Sequence, residues 1–141
     1  MRGDPADRRI EKDKPVTTAA PQTHRLAVIL PCYNEEAAIT AVVRDFRAAL
    51  PQAVIYVYDN NSRDRTVELA RAAGAVVRHE TRQGKGHVVR RMFADVEADI
   101  YVLADGDGTY DAGSASAMVD KLVTEQLDMV VGSRLTAYEG E

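Results

Sequence analysis

Ile100-Tyr101-Val102-Leu103-Ala104-Asp105-Gly106-Asp107-Gly108-Thr109-Tyr110-Asp111 joins two unlike halves. The first four residues are apolar throughout, the pattern of a strand buried in a sheet. Carboxylates and glycines follow. Asp105 and Asp107, spaced i, i+2 at the end of a strand, make an oxygen-rich site of the kind hard cations prefer. Mg²⁺ and Mn²⁺ take such ligands, and Mg²⁺ is commonly shared with substrate phosphates. Gly106 between them lets a ligand approach the backbone closely. The same composition also makes a solvated turn, and on this segment alone the two readings weigh equally. A calcium loop does not fit: its sixth position would be Tyr110 in place of Gly, and its twelfth Ser116 in place of Glu.

Working outward, the chain repeats this alternation of apolar run and polar turn. Leu26 to Leu30 is a short apolar run, hence a strand. Ile39, Val43, Phe46 and Leu50 then recur at helical spacing, and Pro51 closes that helix. Val54 to Tyr58 is a second strand. A helix from about Asp64, its expected N-cap, to Ala73 stops at Gly74. Ala75 to Val77 is a short third strand. Val89, Met92, Phe93 and Val96 mark a helix starting near Gly86, and Ile100 to Ala104 is the fourth strand. Ala115, Met118, Val119 and Leu122 mark a fourth helix, with Asp111 as its cap, and Met129 to Val131 reads as a fifth strand. The order β-α-β-α-β-α-β-α-β, with strands apolar throughout, predicts a mostly parallel sheet with helices on both faces. Ligands of such sheets bind beyond the carboxyl ends of the strands. The unusual polar residues sit there: Pro31 to Glu36, Asp59 to Asp64, Asp105 to Asp107, and Gly132-Ser133-Arg134.

Residues 1–23 are polar, charged and interrupted by proline, and read as a flexible tail. The 141 residues suit one domain, and 45% hydrophobic content is ordinary for a globular chain. A net charge of −4 gives no nucleic-acid signature. The single cysteine, Cys32, excludes an intrachain disulfide and suits a reducing compartment. No run approaches the roughly 20 apolar residues that cross a bilayer, and the amino end has no signal-peptide core.

Four motifs together carry a family resemblance. Pro-Cys-Tyr-Asn-Glu-Glu from Pro31, Asp-Asn-Asn-Ser-Arg-Asp-Arg-Thr from Asp59, Gly-Lys-Gly from Gly84, and Asp-Gly-Asp with Gly-Ser-Arg from Asp105 and Gly132 resemble the inverting family 2 glycosyltransferases. Asp-Gly-Asp-Gly-Thr-Tyr-Asp and Gly-Lys-Gly-His-Val-Val-Arg-Arg-Met-Phe look closest to the polyprenyl-phosphate and dolichyl-phosphate sugar synthases. The resemblance covers about residues 25–135. It implies an α/β, Rossmann-like GT-A fold, with residues 24–141 forming a nucleotide-sugar-binding domain whose acceptor half is incomplete.

The same resemblance implies roles. Pro31, Tyr33 and Glu35 match the loop that holds the nucleoside of the donor. Tyr33 alone would read as an aromatic at the core edge, and Glu35 as a charge favouring the first turn of a helix. Asp59 matches the carboxylate that recognises the base; the second aspartate common beside it is Asn60 here, itself read as part of a turn. Lys85, at a helix start, matches a phosphate contact or else belongs to a basic loop; the surrounding letters do not form a P-loop. Asp105, Gly106 and Asp107 match the metal and diphosphate motif, with Asp105 and Asp107 holding Mg²⁺ or Mn²⁺. Asp107 and Arg134 are the catalytic candidates, Arg134 through donor phosphates. Cys32 reads as a small filler. The implied reaction moves a hexose from a UDP- or GDP-linked donor to an acceptor, polyprenyl phosphate, with inversion, in the cytoplasm at the membrane face. Membrane contact is expected to be peripheral, or to come through a missing carboxyl-terminal region or a partner, and no nucleic-acid partner is expected. The alternative is a nucleotide-sugar-binding module without catalysis, or an inactive fragment of such an enzyme.

Overall fold

The structure is a computed structural model and describes residues 23–133. The expected amino-terminal tail and Arg134 lie outside the described residues. Four strands and four helices alternate along the chain: β1 (Leu26–Cys32), α1 (Ile39–Ala49), β2 (Val54–Asp59), α2 (Thr66–Ala73), β3 (Val76–His79), α3 (Lys85–Asp95), β4 (Ile100–Leu103) and α4 (Ala115–Thr124). A 3-10 turn at Ala112–Ser114 leads into α4, and the Asp111 carboxylate caps it by accepting from the Gly113 amide at 2.9 Å.

The strands form one parallel sheet in the order β3-β2-β1-β4. Val28 lies beside Ile55 of β2 and Val102 of β4, which makes β1 central. Side chains alternate across a strand, and β1 is apolar at every position because both of its faces are covered. Val28, Leu30 and Cys32 face one core with Ile39, Val43 and Phe46 of α1 and Ala70 of α2. Ala27 and Ile29 face the other, against Val88 and Met92 of α3 and Tyr58 of β2. The two helix layers follow from handedness. The chain winds from β1 to β3 in one direction and then crosses back past β1 to β4. Right-handed crossovers therefore place α1 and α2 on one face and α3 on the other.

Three sequence expectations change. The fifth strand at Met129 to Val131 does not form. Met129 and Val131 are 75% and 78% exposed, and the described segment pairs with no strand. A strand needs a ladder partner as well as apolar side chains. After α4 the chain instead turns through Gln126, at φ 54°, and the Leu127 amide bonds back to the Leu122 carbonyl at 2.9 Å. Second, β3 and β4 are edge strands. Val76 and Leu103 are exposed, so their apolar runs are only partly covered. Third, the helix expected from Asp64 begins at Thr66 with Arg65 at its N-cap; Asp64 lies one residue before the cap, where its carboxylate accepts from the Thr66 amide at 3.0 Å.

Candidate functional site

The direction of winding reverses between β1 and β4, and a crevice opens beyond their carboxyl ends, where open α/β sheets bind ligands. A cavity of about 350 Å³ lies there. Three loops and one helix start line it. Pro31 and Cys32 end β1 and Tyr33 and Glu35 follow it; after β2 comes Asn60; at the start of α3, Gly84, Lys85 and Val88, preceded by Gln83; after β4, Asp105 and Asp107.

The first two loops are stitched together. The Asn34 amide donates to Ser62 Oγ at 2.8 Å, and Asn34 Oδ1 accepts from the Arg63 amide at 2.9 Å. The Glu35 amide donates to Thr66 Oγ1 at 2.8 Å, and Glu36 exchanges bonds with Asp64 and Arg65. Asn34 and Asn61 take positive φ, a conformation asparagine tolerates better than other side chains. The loops thus have local reasons for their shape that do not depend on a ligand.

The acidic pair is built differently. Asp107 Oδ1 accepts from the Thr109 amide at 3.0 Å and from its hydroxyl at 2.7 Å, fixing the turn. Asp105 is ion-paired to Lys85 across the crevice. Between them, Gly106 lies against the Cys32 sulfur. A Cβ at residue 106 would fall 2.3 Å from Sγ.

Negative charge accumulates here. Partial burial, then the charges of Asp107, Asp105 and Asp64, raise the Glu35 carboxyl above its ordinary range. Burial first, then Glu35, Asp59, Asp105 and Asp107, push the Cys32 thiol up, so it stays protonated and inert. Such a field favours a cation. Lys85 already supplies one to Asp105, and carboxylate oxygens are the donors that Mg²⁺ and Mn²⁺ take. Among the described residues, no group of three or more metal-binding side chains converges. Asp105 and Asp107 offer carboxylate oxygens of the kind these cations take, with the Lys85 ammonium beside them.

Of the residues singled out from the sequence, Pro31, Tyr33, Glu35, Lys85, Asp105 and Asp107 meet around this one cavity, and Gly106, which does not line it, packs against the sulfur of Cys32, which does. Asp59 does not line the cavity. It lies buried at the end of β2, where Oδ2 accepts from the Ser62 amide and sits 3.6 Å from His79 Nδ1. Among the described residues its Oδ1 has no hydrogen-bond partner. Asn60, Gln83 and Val88 line the cavity without having been singled out as ligand contacts. Asn60 had a local signal, its place directly after β2.

Residues 27–141 match the sequence model of glycosyl transferase family 2. The chain belongs to this family. Among relatives of known name, the family 2 chain is 58% identical over 109 residues to Protein RfbJ of Shigella flexneri, covering 77% of this chain and 84% of that protein. It is 40% identical to the glycosyltransferase AglJ of Haloferax volcanii over 81% of this chain and 37% of that one. It is 34% identical to a dolichyl-phosphate hexose transferase of the same organism, over 79% of this chain and 48% of that one. Among solved structures, it matches glucosyl-3-phosphoglycerate synthase from Mycobacterium tuberculosis in complex with Mn²⁺, UDP and glucosyl-3-phosphoglycerate. That match has a TM-score of 0.60 and 29% identity, over 74% of this chain and 40% of that one. The same synthase is also known with Mg²⁺ and UDP. The fold is the GT-A fold of these glycosyltransferases. The chain spans less than half the length of these relatives, RfbJ excepted.

Proposed function

We propose that this chain binds a UDP- or GDP-linked hexose in the β1–β4 crevice and transfers the sugar, with inversion, to a polyprenyl phosphate. The observation that carries the reading is the convergence of Lys85, Glu35, Asp105 and Asp107 on one cavity at the carboxyl edge of the sheet. It is supported by the names of relatives. A dolichyl-phosphate hexose transferase is among them, and the solved synthase carries UDP with Mg²⁺ or Mn²⁺.

In this reading the acceptor oxygen attacks the anomeric carbon. The bond from that carbon to the diphosphate breaks, and its electrons leave with the nucleoside diphosphate. A phosphate acceptor is already anionic and needs no general base, whereas a hydroxyl would need one. Pro31 and Tyr33 flank the nucleoside and Glu35 anchors their loop, while Asp59, buried at the end of β2, supports the base pocket from behind by holding the Ser62 amide. Lys85, the first residue of α3, brings its ammonium and the positive end of the helix to the diphosphate. Asp105 and Asp107 hold Mg²⁺ or Mn²⁺, with Gly106 letting the diphosphate lie close. When bound, that cation supplies neutralisation of the charge growing on the leaving group. Arg134 adds a further phosphate contact. Residues 24–141 act as one donor-binding unit at the cytoplasmic face of the membrane. Among the described residues no helix is long and apolar enough to cross a bilayer; the proposal puts membrane contact at the periphery of these residues or through a further region or a partner.

Calorimetric titration of UDP, GDP, UDP-glucose and GDP-mannose, with and without Mn²⁺, tests the proposal on the wild type and on Asp107→Ala. The expected result is metal-dependent binding of one nucleotide series that Asp107→Ala loses. No binding by a folded chain overturns the donor site. Binding without transfer to polyprenyl phosphate replaces catalysis by a nucleotide-sugar-binding module.

A further inference from the structure

We infer that Asn60 is the positioning residue that sets Lys85 opposite Asp105. Asn60 is 4% exposed and directly follows β2, and its amide continues the sheet ladder by donating to the Cys32 carbonyl at 2.9 Å. Its side chain closes the loop between β3 and α3. Nδ2 donates to the carbonyls of Glu80 and Arg82, both at 2.8 Å. Oδ1 accepts from the Gly84 amide at 2.9 Å and from Gln83 Nε2 at 3.2 Å. A carboxamide has two donor hydrogens and two acceptor lone pairs, and all four are used. Although Asn60 borders the cavity, its side chain has no hydrogen-bonding capacity left for a ligand.

The loop it grips needs gripping. Gly84 has φ 129° and ψ 137°, a conformation essentially confined to glycine. That residue is the N-cap of α3, and its carbonyl receives the first helical bonds, from His87 at 3.1 Å and Val88 at 3.3 Å. The start of α3, and with it the root of the Lys85 side chain, is therefore fixed by the Asn60–Gly84 bond. Lys85 reaches from there to Asp105. Asn61 reinforces the arrangement, donating to the Thr81 carbonyl and to Gln83 Oε1, both at 3.0 Å. An aspartate at residue 60 would keep the shape but turn both donors into an acceptor facing two carbonyls. The asparagine is the residue the loop requires.

The consequence for donor binding rests on the function proposed above; the positioning itself does not. Asn60→Asp, Asp105→Asn and the wild type are compared without ligand by two readouts. One is hydrogen exchange of the Gly84 amide. The other is the rate of amine labelling at Lys85 relative to Lys121, which is tied to Glu125 far from the loop. Asn60→Asp should speed both Gly84 exchange and Lys85 labelling severalfold, while the Val43 amide in the core stays protected. Asp105→Asn should raise Lys85 labelling and leave Gly84 exchange alone. Unchanged labelling or unchanged exchange in Asn60→Asp overturns the inference. Should that variant fail to fold, Gly84→Ala, which cannot hold φ 129° without strain, disturbs the same link through the backbone and must release Lys85 in its place. Affinity for UDP with Mn²⁺ is then measured on Asn60→Asp. The loss of two neutral hydrogen bonds predicts a fall of roughly 5- to 100-fold. A wild type that binds no UDP sinks the donor reading, while exchange and labelling still decide the role of Asn60.

Discussion

At residue 106 a side chain has no room. The Cys32 sulfur occupies the place of its Cβ, and Cys32 Cβ stands 3.6 Å away. Gly106→Ala should therefore destabilise the chain by about 1–3 kcal/mol, the usual cost of overpacking. Removing only the sulfur leaves an ordinary contact, so Cys32→Ala in the same chain should recover most of that loss. Urea unfolding of the two single variants and the double variant checks this, and additive losses would refute the contact. Glu35 gives a second prediction at this scale. Its folded-state pKa is raised, first by burial and then by Asp107 and Asp105. The folded state holds the proton more tightly than the unfolded one. Stability at Glu35 is therefore highest below the unfolded value of 4.5 and falls as pH rises through the folded value. Glu35→Gln should raise Tm at pH 7 relative to wild type, and the advantage should vanish below about pH 4. An equal shift at both pH values would show that charge is not the cause. At this scale the sequence revealed residue types but not partners. The Asp105–Gly106–Asp107 carboxylates announced themselves by spacing. The saturation of Asn60 did not, because its four partners lie 20 or more positions away along the chain.

Among the elements, α1 and α2 share a junction at Gly74. This residue ends α2 with φ 103°, and a Cβ there would fall 2.3 Å from Arg47 Nη1. The same Arg47 nitrogen donates to the Ala73 carbonyl at 2.8 Å, so a cation of α1 satisfies the open end of α2. Gly74→Ala meets both a strained backbone and this clash. It should cost about 1–3 kcal/mol, read as a lower urea midpoint with an unchanged slope. Arg47→Ala in that background should relieve part of the clash while losing the carbonyl contact. The stop of α2 at Gly74 was legible because glycine acts locally, whereas Asp111, expected to cap α4, caps the 3-10 turn before it and leaves Ser114 at the N-cap of α4. Met129 to Val131 shows the opposite case. Its letters suit a strand, but strand formation depends on an available ladder partner, which no local pattern reports. The edge positions of β3 and β4 were hidden for the same reason.

For the molecule as a whole, the alternation of apolar runs and helical spacing was enough to predict a parallel α/β sheet, because a strand buried on both faces must be apolar throughout. The order β3-β2-β1-β4 could not be read that way; it depends on which edge the returning chain joins. That order sets where the crevice opens, and so brings the loops after β1 and β4 together. It also governs how the chain can assemble while it is being made. β1 is synthesised before both strands that flank it, β2 and β4, and Arg25 beside it bonds to Asp99, 74 residues later. At ribosomal rates of roughly 5–20 residues per second, β1 waits about 4–15 s for its last neighbour. During that time one edge of the most apolar strand stays open, within reach of any other emerging strand. Early docking of α1 and α2 onto the β1–β2–β3 half would shield one face, leaving the β4 side as the place where a nascent chain is most exposed to misassociation.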